Sequence, residues 1–369
     1  MVSRSASAHG RVNLVGEHTD YNDGLVLPAT IPLRTDVELD RRGDDLVVVR
    51  SAGHGEHRYR LGDERRRGGW GDHVEGVTSV LRETARRVSG FEARITSDIP
   101  AGAGLGSSAA LAVALLRVVR EAFALELDDL SLARLAHRAE SELVGAPVGL
   151  MDQLSSSLGR DGEALFIDLD GLAMERVRLP TTLGLVAIDS GIAHENSTGA
   201  YAARRRECEE ARDRLGLRSL RDATVEDVAR LEREHPVLAR RARHVVSENA
   251  RVREALPAIR AADLVALGDL VSCSHRSLRD DFEVSTAQVD ALVRLLEARP
   301  GVHGARIIGG GFGGAVLAIA DQDAAAEAAR VACVAYVAET GQPGRVLLPA
   351  QHQQMSDEGL GPEEQINQP

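Results

Sequence analysis

Three stretches of this 369-residue chain concentrate side chains that can do chemistry. The first is GRVNLVGEHTDYNDG, which brings Arg11, Asn13, Glu17, His18, Asp20, Tyr21, Asn22 and Asp23 within 13 residues. Such a stretch buries poorly in an apolar core. Glu17, His18 and Asp20 offer donors and acceptors at the spacing needed to meet several hydroxyls of one sugar. A solvated turn would use the same residues. A metal site would need more, because no HExxH or further close ligand set accompanies His18 and Asp20.

The second stretch is PAGAGLGSSAALAVALL, where Gly102, Gly104 and Gly106 precede Ser107, Ser108 and an apolar helical run. Glycines let a backbone approach an anion, and a helix N-terminus presents unpaired N–H groups at the positive end of its dipole. Serine hydroxyls there can cap the helix or reach a phosphate or a magnesium ion. The pattern fits a phosphate cradle, and equally a Gly-Ser linker that caps a helix. The third stretch, GLMDQLSSSLG, sets Asp152 among apolar and small residues. A carboxylate so placed can act as a general base, or simply cap a helix. Glu140 borders an apolar helix face and gains interest only if the phosphate loop beside Ser108 is real. GGGFGG at 309–314 satisfies GxGxxG in form. It runs into the strand-like AVLAIA rather than a helix, so a tight turn between strands is expected instead of a dinucleotide site.

The elements that must hold these residues follow from periodicity. DVELD, Gly43-Asp44 and DLVVVR predict a hairpin, 51–73 a polar surface loop, and about 74–89 a helix. FEARITSDIP predicts a strand ending at Pro100, and 108–123 a helix. Leu132, Leu135, Ala136, Ala139 and Leu143 share one face of a helix over 131–145. EALFIDLD and GLVAIDS read as strands on either side of a domain boundary at VRLP, 177–180. Helices fill roughly 200–300. Then come strand, glycine turn and strand, a helix over 323–339, a short VLLP strand and, from 351, a disordered tail. The domains are thus expected at 1–178 and 179–350, with the tail at 351–369.

Composition narrows the chemistry. All 44 basic residues are arginine, so a Walker A loop, a kinase strand lysine and lysine Schiff-base catalysis are excluded. The net charge of −12 opposes binding to nucleic acid over a broad face. Cys208, Cys273 and Cys333 stand far apart without a CxxC, which fits a reducing cytoplasm. MVSRSASAHG lacks an apolar signal segment and no run reaches 18 apolar residues, so neither secretion nor membrane spanning is expected.

Taken together, these segments resemble the GHMP kinase superfamily and, within it, the galactokinases. GRVNLVGEHTDYNDGLVLP is similar to the galactokinase signature, PAGAGLGSSAA to the superfamily's phosphate loop, and IIGGGFGGAVLA to its third motif. WGDHVEGV, AESELVGAPVGLMDQLSSSLG, YAARRRECEEAR and SCSHRSLRDDFEVS match more weakly, in the family's order, over about residues 8–348. The resemblance implies a two-domain α+β fold with the active site in the interdomain cleft. It implies ATP-dependent phosphorylation of the anomeric hydroxyl of galactose, with Asp152 as base and Arg11 beside it. It implies that Glu17, His18, Asp20, Gly149 and Tyr201 meet the sugar. Gly102, Ala103, Gly104, Leu105, Gly106, Ser107 and Ser108 would cradle the phosphates, Trp70 would lie against adenine, and Ser108 and Glu140 would bind magnesium. His73, Val148 and Ile308 depart from the family's usual residues. Galactose and ATP are the expected partners, with neither nucleic acid nor membrane, and the chain is expected to be a monomer or weak homodimer. A kinase for arabinose, galacturonate or N-acetylgalactosamine, and a non-catalytic galactose sensor, are the alternatives.

Overall fold

The computed structural model describes residues 3–84, 88–146, 148–192 and 197–349. Its strands form two sheets. The larger has eight strands: β1 (Arg4–Asn13), β2 (Leu25–Val26), β3 (Pro28–Arg41), β4 (Leu46–Ser51), β5 (Gly55–Arg60), β6 (Phe91–Ser97), β7 (Glu163–Asp168) and β8 (Ala173–Arg178). They run in the order β2-β7-β3-β6-β4-β5, with β1 on β3 and β8 on β7. The second sheet orders β10 (Val302–Ile308), β11 (Ala315–Asp321), β9 (Leu183–Asp189) and β12 (Arg345–Leu348). The chain therefore changes sheet between Arg178 and Leu183.

Three helices of the first half precede the segment that holds Asp152. α1 spans Gly71–Glu83, α2 spans Ser107–Phe123 and α3 spans Asp129–Arg138. α2 is apolar on most sides, with Ala110, Val113, Leu115, Leu116 and Val119 fully buried beside Ala8 and Val12 of β1 and Val37 of β3. Truncating one such leucine costs about 2–5 kcal/mol, so α2 is anchored firmly behind its N-terminus. α4 (Met151–Leu158) follows, and the second half adds α5 (Ser197–Leu215), α6 (Val225–Glu232), α7 (Pro236–Arg260), α8 (Leu264–Asp280), α9 (Ala287–Glu297) and α10 (Ala325–Thr340). One core joins the halves: Leu14, Leu25 and Leu27 belong to the same buried cluster as Val252 and Ala255 of α7.

This is a two-domain α+β architecture, and it corrects three local expectations. β3 and β4 do not pair as a hairpin. β6 lies between them, antiparallel to β3 and parallel to β4. The Gly43-Asp44 turn is spread open because the 89–90 segment docks into it, with Arg42 N–H on the Gly90 carbonyl and Gly90 N–H on the Asp44 carbonyl. The expected loop over 51–73 contains β5, an edge strand too polar to signal itself. The helix over 131–145 ends its regular path at Arg138 and continues as a π-helical turn, Ala139–Val144. The tail from 351 lies outside the described residues. Among those described, no helix is long and apolar enough to cross a membrane.

Candidate active site

Arg11 sits near the end of β1, directly after a register shift against β3. Such bulges re-aim a side chain. Its guanidinium leaves the sheet and grips Asp152, the second residue of α4, in a fork: Nε donates to Oδ1 at 2.9 Å and Nη2 to Oδ2 at 2.6 Å. The third nitrogen, Nη1, donates to the Gly104 carbonyl. Burial alone would lower the Arg11 guanidinium, but the carboxylates of Asp152 and Glu17 outweigh it and hold the group above its ordinary value. One arginine thus ties the carboxylate of α4 to the glycine loop.

That loop alternates left-handed glycines, with φ near 75° at Gly102, Gly104 and Gly106. Only glycine adopts this conformation without strain. Gly106 precedes α2 and no side chain caps the helix, so the first N–H groups of α2 stay available to an anion. The turn at 309–314 packs on this loop: a Cβ at Gly104 would lie 3.1 Å from the Ile308 carbonyl and 3.3 Å from the Gly309 Cα. The Ile308 side chain is buried in the core, so that departure from the family touches the loop through backbone alone.

Ser108, in the first turn of α2, donates its hydroxyl to Glu140 Oε1 at 2.7 Å, and Gln153 Nε2 donates to Glu140 Oε2 at the same distance. Glu140 is the second residue of the π-helical turn, and such turns are frequent at functional sites. Its carboxylate is buried against two neutral donors. A hydroxyl and a carboxylate, all oxygen, suit magnesium, which keeps waters and substrate phosphates as its other ligands. No cluster of three or more His, Cys, Asp or Glu side chains that could hold a metal occurs among the described residues.

The opposite end of the cleft is built by the 14–23 turn. His18 adopts φ 60°, in the left-handed region, and is 4% exposed. Its Nδ1 meets the Tyr21 hydroxyl at 2.9 Å, while its buried Nε2 has no partner among the described residues. Burial, reinforced by the neighbouring His244 and Arg306, lowers His18 to about 3, so the ring is neutral. The Tyr201 ring packs 5.3 Å from His18. Asp20 presses on Gly149 so closely that a Cβ there would lie 2.0 Å from Oδ2. Burial, with Asp152 and Glu17 adding like charge, raises Asp20 to about 7.

These groups surround one cleft of about 550 Å³. The structure gathers Arg11, Glu17, His18, Asp20, Glu140, Gly149, Asp152 and Tyr201 on its walls, with Gly102, Gly104, Gly106, Ser107 and Ser108. His73 and Val148 line it too. Ala103 and Leu105 belong to the loop, but their side chains turn into the core. Trp70 does not line the cleft: its Nε1 donates to the His54 carbonyl and its ring packs near His54 and His57. Four supporting residues escaped the sequence reading: Gln153, His244, Glu248 and Arg306. The usable signal was an arginine inside the apolar strand ARII, since a charge in a core strand is tolerated only when paired.

Comparison with known proteins agrees with this geometry. Residues 3–41 match the galactokinase galactose-binding signature, 72–160 the GHMP kinase N-terminal domain and 255–338 the GHMP kinase C-terminal domain. The galactokinase of Roseiflexus sp. (strain RS-1) is 39% identical over 92% of this chain and 89% of its own length. The chain belongs to the galactokinase family. The Haemophilus influenzae galactokinase is 38% identical over 90% of this chain and 89% of its own. The crystal structure of Lactococcus lactis galactokinase complexed with galactose superposes with a TM-score of 0.89, at 30% identity over 93% of this chain and 92% of the other. Methanococcus jannaschii mevalonate kinase, at 16% identity and a TM-score of 0.66, shares the fold. Within the galactokinase frame, the signature segment holds Arg11, Glu17, His18 and Asp20. The N-terminal domain match holds the glycine loop, Glu140 and Asp152, and the C-terminal match holds Arg306 and the 309–314 turn.

Proposed function

We propose that this enzyme transfers the γ-phosphoryl group of ATP to the anomeric hydroxyl of galactose, giving galactose 1-phosphate and ADP. The observation that carries the reading is the position of Asp152. It stands in one cleft between the hydroxyl-binding set Glu17, His18 and Asp20 and the anion-binding loop 102–108.

Phosphoryl transfer asks a protein for positioning and charge neutralisation more than for covalent chemistry. Asp152 takes the proton of the anomeric hydroxyl. That oxygen then bonds to the γ-phosphorus as the bond to the β–γ bridging oxygen breaks, and ADP leaves with the electron pair. Arg11 aims Asp152 through its fork, and its positive charge lies beside the oxygens that gain negative charge. His18 Nε2, unpaired among the described residues, and the acceptors Glu17 and Asp20 satisfy sugar hydroxyls. Tyr201 and the bare backbone of Gly149 close the sugar end. The N–H groups at the start of α2 hold the phosphates. Ser108 and Glu140 would hold magnesium, which when bound neutralises phosphate charge.

ADP release by the purified chain with ATP and magnesium tests this, across galactose, glucose, N-acetylgalactosamine, arabinose and galacturonate. Turnover on galactose supports the proposal. Turnover confined to another sugar keeps the mechanism and moves the substrate, with Val148 on the cleft wall as the first residue to examine. Galactose binding without turnover on any sugar would make the chain a sensor.

A further inference from the structure

We infer that Arg306 is a positioning residue for the sugar end of the cleft, aiming the Glu17 carboxylate from the opposite half of the molecule. Arg306 lies in the middle of β10 and is fully buried. Nη2 donates to Glu17 Oε2 and, at 2.7 Å, to the Asn13 carbonyl. Nη1 donates to the Ser274 hydroxyl at 3.0 Å and approaches Glu248 Oε1 at 3.5 Å. Glu248 is in turn gripped by Arg251 at 2.7 Å and accepts the backbone N–H groups of Gly16 and Glu17 at 2.8 and 3.2 Å. His244 Nε2 meets the Glu17 carbonyl at 3.0 Å. Side chain, N–H and carbonyl of Glu17 are thus each held by a residue 227 or more positions away.

A buried guanidinium is costly unless paired and hydrogen-bonded, and this one meets two carboxylates, a hydroxyl and a carbonyl. Its planar fork fixes directions that an ammonium could not. With Oε2 engaged, Oε1 is the oxygen left for a ligand. Ile308, two residues further at the end of β10, and Gly309 after it rest on Gly104, but that contact is made by backbone. Changing the Arg306 side chain therefore strikes the sugar end and spares the phosphate loop. The inference rests on the reading that Glu17 meets the sugar.

The test is calorimetric binding of galactose and, separately, of ADP with magnesium to the wild type, Arg306→Lys and Arg306→Met, with thermal melts of each. Arg306→Lys keeps the charge and is expected to fold, to weaken galactose about tenfold or more, and to leave ADP within about twofold. Repeating Arg306→Lys in a Glu17→Gln background supplies the decisive readout. If Arg306 acts through Glu17, the lysine change becomes nearly silent on galactose there. Unchanged galactose affinity in Arg306→Lys, equal losses for galactose and ADP, or a full loss in the Glu17→Gln background would each overturn the inference. If Arg306→Met fails to fold, Arg306→Lys and the cycle still decide. Should the wild type bind another sugar of the panel, that sugar replaces galactose and the substrate reading alone fails. A wild type that binds no sugar overturns both.

Discussion

Asp20 and Gly149 meet with no room between them: a Cβ at position 149 would stand 2.0 Å from Asp20 Oδ2 and 2.4 Å from its Cγ. Asp20 arrives from the turn after β1, and Gly149 from the segment that leads into α4. Their contact sets the distance between the Asp20 carboxylate and Asp152, three residues past Gly149 along the chain. Gly149 has no left-handed φ, so what it supplies is space.

Gly149→Ala tests that contact alone, because alanine fits the backbone conformation. The methyl forces Asp20 aside, an overpacking cost of about 1–3 kcal/mol. Galactose KM is expected to rise about 5- to 150-fold, with ATP KM unchanged, since the phosphate loop lies at the other end of the cleft. Steady-state kinetics with each substrate varied in turn would show it. An unaltered galactose KM would mean that Asp20 does not bind the sugar.

Asp152→Asn keeps the shape of the side chain and a hydrogen bond to Arg11, but it cannot take a proton. General-base catalysis contributes about 10²–10⁴-fold, so kcat should fall by that much while calorimetric galactose affinity changes little. Near-normal turnover in this variant would remove Asp152 from the mechanism.

Legibility in this chain follows sequence separation. Glu17, His18 and Asp20 share one short segment whose polarity cannot be explained by a core, so they were legible as a set. The glycine loop was legible because three glycines and two serines ahead of an apolar helix narrow its uses. Arg306, Glu248 and His244 were not, because each supports the 14–18 turn from 227 or more residues away and nothing local marks the pairing. Gln153 hid beside Asp152 as an ordinary helical amide. The β3–β4 hairpin failed for the related reason that β6, 50 residues on, competes for the same edge. Trp70 followed the family's motif, while its ring follows local packing on His54 and His57.

Asp20 gives a pH signature. Its carboxyl is raised from 3.8 to about 7 by burial and by Asp152 and Glu17. As pH rises from about 4 to about 7 the unfolded chain releases this proton and the folded chain keeps it, so Asp20 costs stability across that window. Asp20→Asn has no proton to release. The stability of the variant minus that of the wild type should be smallest near pH 4. It should grow by at most about 1.4 kcal/mol per pH unit and level off above about pH 7. His18 and His244, lowered to about 3 and about 4, act in the opposite direction in both proteins and cancel in the difference. Urea titrations of the ligand-free proteins at several pH values measure it. A difference that stays flat with pH would contradict a raised Asp20 carboxyl in the folded protein.

Glu140→Ala addresses the metal. Glu140 takes the Ser108 hydroxyl on one oxygen and the Gln153 amide on the other, so both carboxylate oxygens are already aimed before any ion arrives. A preset oxygen pair beside a phosphate loop is what magnesium, reluctant to lose its waters, can use without rearranging the protein. Removing the carboxylate leaves the Ser108 hydroxyl alone at the site. The magnesium concentration at half-maximal turnover should rise about 10- to 100-fold at fixed ATP, and manganese should rescue the variant better than calcium because its geometry is the closer match. Gln153→Leu separates holding from ligating. It strips one donor from Glu140 without touching the ion, so it should shift the magnesium midpoint in the same direction by less. A magnesium titration that superposes on the wild type's in Glu140→Ala would leave this carboxylate a structural partner of Ser108 and nothing more.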